Sequence, residues 1–265
     1  MRRALALLAA LALHPAAPAA AAEPVPLHHD LAVDAAVTAA AVAVWAGTEL
    51  AKPSLAPARC RWCEPGPLDA AAREALVWQE PARARRASDV LAFGLVPAGV
   101  AAHQLLAARR AGDAGAGWVD LLLVAQATAL AADLTQVAKY AVGRRRPLAA
   151  QAPAGRERDP DDDLSFWSGH TSLAFSLVAA AGTVSSLRGY PSAPWVWGGG
   201  AVAAAGVGWL RMAGDAHWLT DVLAGAAAGI AVGVAVPKLF HGPRDTAGTS
   251  QAVVAPRLVA LALPF

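Results

Sequence analysis

The sequence predicts an all-α protein, a membrane helical bundle of five or six spans. Apolar residues make up 56% of the 265-residue chain and charged residues only 16%, well below the roughly 25% charged residues of an ordinary soluble domain. The apolar residues are gathered in runs of about 20, the length of helix that crosses a hydrocarbon layer. A soluble all-α domain with an unusually apolar core is the alternative that composition leaves open.

The amino end is typical of a secretory signal peptide, residues 1–22. A short basic segment, Met1–Arg3, precedes an apolar core at 4–13, and the small residues 20–22 offer a cleavage site before Glu23. An uncleaved first membrane anchor is the alternative, although the apolar core is short for a span. Under either interpretation, the chain is a substrate of the export machinery.

Residues 23–87 are expected to form an N-terminal helix and an exposed loop. The Ala- and Val-rich run 31–50 carries acidic residues near its ends, so it predicts either a span or a non-spanning helix. Residues 51–87 are charged and contain several prolines, with an amphipathic helix predicted from Leu68 to Trp78.

Residues 88–240 are predicted to form the helical core. The second of its runs contains Asp120, Gln126 and other polar residues, which we expect to face the bundle interior and not lipid. The tail 241–265 is compatible with a short strand or a frayed end. The five apolar runs of the core lie near 89–108, 117–140, 169–187, 194–212 and 216–236.

The two cysteines, Cys60 and Cys63, favour a local disulfide over a redox centre, because an export signal implies an oxidising compartment. A zinc site would need further ligands, and His28 and His29 are the only nearby candidates. No metal is therefore expected. The formal net charge of +2 gives no field of the kind that binds nucleic acid, so no nucleic-acid partner is expected.

The first of three polar clusters lies where the 117–140 run ends. Lys139 belongs to the run, Gly143 suits the position after a helix end, and Pro147 holds Arg146 in an extended conformation. The neighbouring Arg144 and Arg145 are most simply membrane-flank charge, although either could contact a second phosphate or a lipid headgroup.

The second cluster, residues 165–172, opens the 169–187 run. Ser168 is suited to cap the helix, and Gly169 would let an anion approach the backbone N–H groups of a helix start. His170 follows directly. By itself this segment is also compatible with an ordinary helix start that carries a stray histidine.

The third cluster contains Arg211, His217 and Asp221. The break at 214–215 places His217 and Asp221 in the first turns of the last helix, four residues apart and therefore on one face. We expect Asp221 to hold one imidazole nitrogen and to leave the other free for attack. A merely structural His–Asp contact is the alternative.

Together the clusters predict a phosphate site. Lys139, Arg146 and Arg211 supply positive charge, the turn at 168–169 supplies donors, and the two histidines supply a nucleophile and an acid. A phosphoryl group in transfer needs several fixed donors to spread its negative charge, and these side chains provide them without a metal.

With these residues the chain resembles the type 2 phosphatidic acid phosphatase superfamily, whose pattern is KxxxxxxRP, PSGH and SRxxxxxHxxxD. The spacing agrees within all three motifs, which extend here from Lys139 to Asp221. Two positions depart from the pattern. Trp167 replaces the proline of the second motif, and Leu210 replaces the serine of the third. Neither replacement removes a charged group.

The resemblance implies a role for each residue of the site. His217 resembles the nucleophile that forms a phosphohistidine, Asp221 the group that orients it, and His170 the general acid and base. No cofactor is implied. The residues that resemble the phosphate-binding groups are Lys139, Arg146, Ser168, Gly169 and Arg211.

The resemblance further implies an integral membrane enzyme that hydrolyses a lipid phosphate monoester or a polyprenyl diphosphate without a metal. A soluble exported acid phosphatase with the same site and, more remotely, a vanadium-dependent haloperoxidase are the alternatives, since vanadate mimics phosphate. A structural membrane protein that keeps a decayed site is the non-enzymatic alternative. No oligomeric state is implied.

The helix order places all three motifs at one membrane face. If 31–50 spans and the signal is cleaved, counting the crossings puts that face in the cytoplasm; if 31–50 does not span, it faces the exported side. Arg109, Arg110 and Arg188 lie in short loops at the opposite face, which the positive-inside rule places in the cytoplasm. We therefore expect the site on the periplasmic side of a bacterial-type inner membrane.

Overall fold

The computed structural model of the protein describes residues 23–153 and 155–244, and this part of the chain is helical without a β-strand. The predicted signal peptide, 1–22, and the tail beyond residue 244 lie outside the described residues. The helices are α1 (Leu31–Leu50), α2 (Lys52–Leu55), α3 (Pro67–Leu76), α4 (Pro81–Val90), α5 (Val96–Arg110), α6 (Ala114–Val142), α7 (Pro147–Ala150), α8 (Gly169–Arg188), α9 (Ala193–Ala213) and α10 (Leu219–Phe240).

The predicted membrane bundle is confirmed. Five helical stretches of the described residues are long and apolar enough to cross a membrane: Leu31–Leu50, Pro81–Arg110, Ala114–Val142, Gly169–Arg188 and Leu219–Phe240. The second stretch comprises α4 and α5, which a turn of π-helix at Leu91–Leu95 joins. The predicted run 194–212 forms α9, but its tryptophans and glycines keep it out of this set.

The ends of α6 and α8 are set by local sequence signals. Gly143 has a positive φ of 59°, so it ends α6 in the left-handed conformation that glycine adopts at little cost. Ser168 precedes α8, and its side chain accepts a hydrogen bond from the backbone N–H of Thr171. Both caps fall where the sequence predicts them, and both lie beside the polar clusters.

Glycines let α10 approach α8 closely. A Cβ at Gly225 would lie 2.6 Å from the carbonyl oxygen of Ser168, and one at Gly229 would lie 2.5 Å from that of Ser172. Gly233 repeats this contact a turn later. Small residues at every fourth position are typical of closely packed membrane helices, and here they bring the start of α10 against the start of α8.

The 31–50 run forms α1, which lies parallel to α6 along the bundle. Near its start, Asp34 accepts a hydrogen bond from Gln126 (3.3 Å), and near its end Glu49 accepts one from Gln136 (2.8 Å). Tyr140 also donates to the carbonyl of Thr48. This helix therefore begins at the end of the bundle opposite the motifs and ends beside them.

The segment 51–87 is more than an exposed loop. It contains the predicted amphipathic helix as α3, and Cys60 and Cys63 form the predicted disulfide. Arg61 donates to the carbonyls of Tyr140 and Ala141, and Asp69 is 2% exposed. The segment thus packs on the end of the bundle that carries the motifs.

Candidate active site

The three motifs meet at one end of the bundle. A Cβ at Gly169 would lie 3.4 Å from the Nζ of Lys139, which joins the first motif to the second. The backbone N–H of Ser168 donates to the carbonyl of Asp221 (3.0 Å), which joins the second to the third. The loop 214–218 between α9 and α10 carries His217 into the same place.

His217 presents a neutral, buried imidazole. The imidazole is 3% exposed, and its Nδ1 lies 2.9 Å from the carbonyl oxygen of Ser165. Because a carbonyl can only accept, Nδ1 carries the proton and Nε2 keeps its lone pair. Burial, together with the charges of Arg146 and Arg211, holds the pKa of His217 well below its usual value.

The expected hydrogen bond between Asp221 and His217 is not formed. The carboxylate lies 3.6 Å from Nδ1, beyond hydrogen-bond distance. It accepts instead from Ser165 Oγ (2.5 Å) and from the backbone N–H of Trp218 (2.9 Å). That second bond caps α10 at Trp218, so His217 lies before the helix and not in its first turn. Asp221 contacts the residue that orients His217 and not the imidazole itself.

His170 is paired with a carboxylate that the sequence did not single out. Its Nε2 lies 2.8 Å from Asp89 of α4, and its ring packs edge-on against Phe93 with the centroids 4.8 Å apart. Asp89 also lies 3.3 Å from Arg211. Asp89 lies two residues before the π-helical turn, an irregularity that often accompanies functional sites in helices but leaves no signal in the sequence.

Two cations of the site carry unused donors. Among the described residues, the buried Nε groups of Arg146 and Arg211 have no hydrogen-bond partner. Buried donors are normally paired, so these positions suit an anion that would accept from them. We refer to Lys139, Arg146, Ser168, Gly169 and Arg211 as the phosphate cradle.

Asp161 is a second carboxylate beside the cradle, at Arg146. Its carboxylate lies 3.5 Å from Arg146 and 3.2 Å from Lys52. Burial alone would raise its pKa, but the charges of Arg146, Lys52 and Lys139 outweigh burial and hold the pKa below its usual value. Asp161 is therefore ionised at neutral pH and tempers the positive charge of the cradle.

Arg144 is a buried part of the site and not a membrane-flank charge. Its side chain is 1% exposed and bridges Asp221 and Asp69, with an N–O distance of 2.5 Å to each. It also donates to Thr220 (2.7 Å) and lies over the ring of Trp62, 3.7 Å from its centroid. The run of three arginines conceals this role, because nothing in the local sequence separates Arg144 from its neighbours.

Comparison with known proteins agrees with the site. The model of the PAP2 superfamily matches residues 120–244, a stretch that contains all three motifs. The lipid A 1-phosphatase of Porphyromonas gingivalis is 35% identical over 105 residues, which are 40% of this chain and 20% of the relative. The chain thus spans about a fifth of the length of this curated relative.

A solved structure gives a further comparison. The crystal structure of a transmembrane PAP2 type phosphatidylglycerolphosphate phosphatase from Bacillus subtilis aligns with a TM-score of 0.46 and 19% identity, and the alignment covers 77% of this chain and 94% of that one. The family match and the meeting of the three motifs at one end of the bundle agree: residues 120–244 of the chain match the PAP2 superfamily.

Proposed function

We propose that the protein is a membrane-bound phosphatase that hydrolyses a phosphorylated lipid through a phosphohistidine at His217, without a metal. The observation that carries the proposal is the pairing of a neutral, buried imidazole with cations whose buried donors have no partner within the part of the chain that the structure describes. A neutral Nε2 can attack phosphorus, and the cradle spreads the negative charge of the transferring phosphoryl group.

The proposed reaction has two steps. In the first, Nε2 of His217 forms a bond to phosphorus and the bond from phosphorus to the lipid oxygen breaks. His170, which enters this step as the imidazolium paired with Asp89, gives one proton to that oxygen and becomes neutral. In the second, His170 takes a proton from water, the water oxygen attacks phosphorus, and the bond between phosphorus and nitrogen breaks to release phosphate. A positioned acid and base contributes about 10²- to 10⁴-fold to such a rate.

A lipid substrate is supported by the setting of the site. The cradle lies at the ends of helices that are long and apolar enough to cross a membrane, so a lipid headgroup at the membrane surface would reach it. The matched relative is by name a phosphatase of lipid A. We propose a lipid phosphate monoester or a polyprenyl diphosphate as the substrate class.

The test is phosphate release by purified, detergent-solubilised protein in the presence of a metal chelator. We expect His217→Ala to lose several orders of magnitude in turnover and to yield no acid-labile phosphoenzyme after rapid quenching. His28→Ala is the matched control, because His28 is exposed at the opposite end of the bundle. Ordinary turnover by folded His217→Ala protein would refute the mechanism, and loss of activity in chelator would refute metal independence.

We further propose that the site faces the exported side of a bacterial-type inner membrane. Two observations support this orientation. The disulfide of Cys60 and Cys63 lies at the end that carries the site, and such bonds persist in oxidising compartments. The exposed Arg109 and Arg110 lie at the other end. Arg188 adds little to this charge bias, because it is buried against Asp120 at 2.8 Å.

With the site on the exported side, a spanning α1 and a cleaved signal peptide exclude each other. Because α1 begins at the end of the bundle opposite the site, a spanning α1 with an exported site requires residue 23 to lie on the cytoplasmic side. Cleavage after Ala22 on the exported side would then be excluded. Labelling of a single added cysteine, Ala152→Cys, by a membrane-impermeant maleimide in intact cells tests the orientation; labelling only after lysis would overturn it.

A further inference from the structure

We propose that an apolar groove between α5, α8 and α9 binds the hydrocarbon chain of the phosphorylated substrate. The groove encloses a cavity of about 300 Å³, at the lower end of the volumes of ligand-binding pockets. This proposal rests on the proposed lipid phosphatase function and adds the place where the lipid chain lies. The residues that carry the argument are Leu91, Val96, Gly99, Val178, Gly199 and Ala203.

The groove begins beside the catalytic residues. Leu91 follows Asp89 by two residues, and the carboxylate of Asp89 contacts both His170 and Arg211. Phe93, from the same π-helical turn, packs against the ring of His170. A lipid whose phosphate lies in the cradle and whose oxygen accepts a proton from His170 therefore has its chain at the mouth of this groove.

The length of the groove suits a lipid chain. From Leu91 to His103 the helix advances by about 18 Å at 1.5 Å per residue, slightly more than the roughly 15 Å of one half of the hydrocarbon layer. His103 closes the far end, where its Nε2 lies 2.8 Å from Ser192 Oγ. The helix that forms this wall, Pro81–Arg110, is one of the five apolar enough to span, so the groove lies at the depth of lipid chains.

Two glycines leave the floor of the groove open. A Cβ placed at Gly99 or at Gly199 would meet no atom of the described residues within 4 Å, so a side chain can start from either position without displacing its neighbours. Gly200 differs, because a Cβ there would lie 2.6 Å from Val178. Gly99 and Gly199 are therefore the positions at which the groove can be filled while the packing of the helices is kept.

The experiment fills the groove and measures selectivity for chain length. Gly99→Leu and Gly199→Leu are compared with Gly94→Leu, in the π-helical turn before α5, and Gly198→Leu, on α9. Neither control glycine lines the groove, and a Cβ at either would meet no atom of the described residues within 4 Å. Each variant is assayed for kcat/KM in detergent with a long-chain and a short-chain substrate that share one headgroup. The ratio of the two values cancels differences in the active fraction of protein.

We expect the long-to-short ratio to fall about tenfold or more in both groove variants, because each methylene group excluded from an apolar site removes a favourable contribution. The two control variants should keep the ratio of the unaltered protein. An unchanged ratio in both groove variants would overturn the proposal, and so would an equal fall in the controls, which would indicate a general effect of the surrounding lipid. If the unaltered protein releases no phosphate from either substrate, the proposed function itself fails.

Discussion

Replacement of Arg144 by methionine tests the buried network beside His217. The guanidinium group is 1% exposed and binds Asp221 and Asp69 at 2.5 Å each. Methionine has a similar length and no charge, so the two carboxylates, 0% and 2% exposed, would lose their common partner and repel each other. Breaking a buried ion pair costs about 3–5 kcal/mol of the free energy of unfolding.

That cost is large against a typical stability of about 5–15 kcal/mol. Asp69→Asn should cost less, about 1–2 kcal/mol, for two reasons. The asparagine oxygen can still accept the backbone N–H of Thr220, which lies 2.9 Å from Asp69. The remaining pair, Arg144 with Asp221, is balanced in charge. The network therefore predicts that Arg144→Met destabilises the protein more than Asp69→Asn does.

The assay is equilibrium unfolding in detergent, combined with kcat/KM on a short-chain substrate. Arg145→Met is the matched control, since its side chain is 40% exposed and such surface changes usually shift stability by less than about 0.5 kcal/mol. We expect Arg144→Met to lose activity with stability, because Asp221 and the loop of His217 share the network. Equal stability and activity of the Arg144→Met and Arg145→Met proteins would refute the reasoning.

Three further predictions follow from single contacts. Asp89→Asn should lower kcat/KM about tenfold for substrates with poor leaving groups and less for those with good ones, because Asp89 orients His170. Ser88→Ala removes a hydroxyl that accepts from Arg211 and donates to the carbonyl of Arg85, so it should lower kcat/KM for both kinds of substrate alike; a uniform loss in both variants would count against the role of Asp89. Because the pKa of His217 is low, its imidazole should stay neutral when the pH is lowered through 6.5, its ordinary pKa. After correction for ionisation of the substrate, kcat/KM should therefore not fall in this range; a fall with that midpoint would contradict the neutral state of His217. Asp161→Asn should strengthen inhibition by inorganic phosphate a few-fold, because it removes a negative charge beside the cradle; weaker inhibition would show that Asp161 serves to orient the cradle.

Much of the fold and of the charged site could be predicted from the sequence. Three motifs lie at the ends of consecutive apolar runs, and alternating helices bring such ends to one face. Gly143 and Ser168 have local conformational preferences that fix where α6 ends and α8 begins. These signals depend only on neighbouring residues, so they can be recognised in the sequence without knowing how the helices pack.

The contacts that could not be predicted join distant segments. Asp69 and Arg144 are 75 residues apart, and Asp89 and His170 are 81 apart. Neither acidic residue stands out in its own segment. The indirect role of Asp221 was missed for another reason, since the i, i+4 spacing is informative only if both residues are helical. Here the cap of α10 leaves His217 outside the helix.

The carboxylates of the site divide its cations into two groups. Arg144 is bound at 2.5 Å by carboxylates that are almost fully buried, which cannot move away without losing their pairing in a dry environment. The cradle arginines have looser partners. Arg211 lies 3.3 Å from Asp89, whose side chain is 51% exposed, and Arg146 lies 3.5 Å from Asp161, which is 39% exposed. A carboxylate that is partly exposed can be rehydrated when it is displaced, so a phosphate can replace it at little cost. The depth of each carboxylate thus separates Arg144, which holds the fold, from Arg146 and Arg211, which can exchange their partners for another anion.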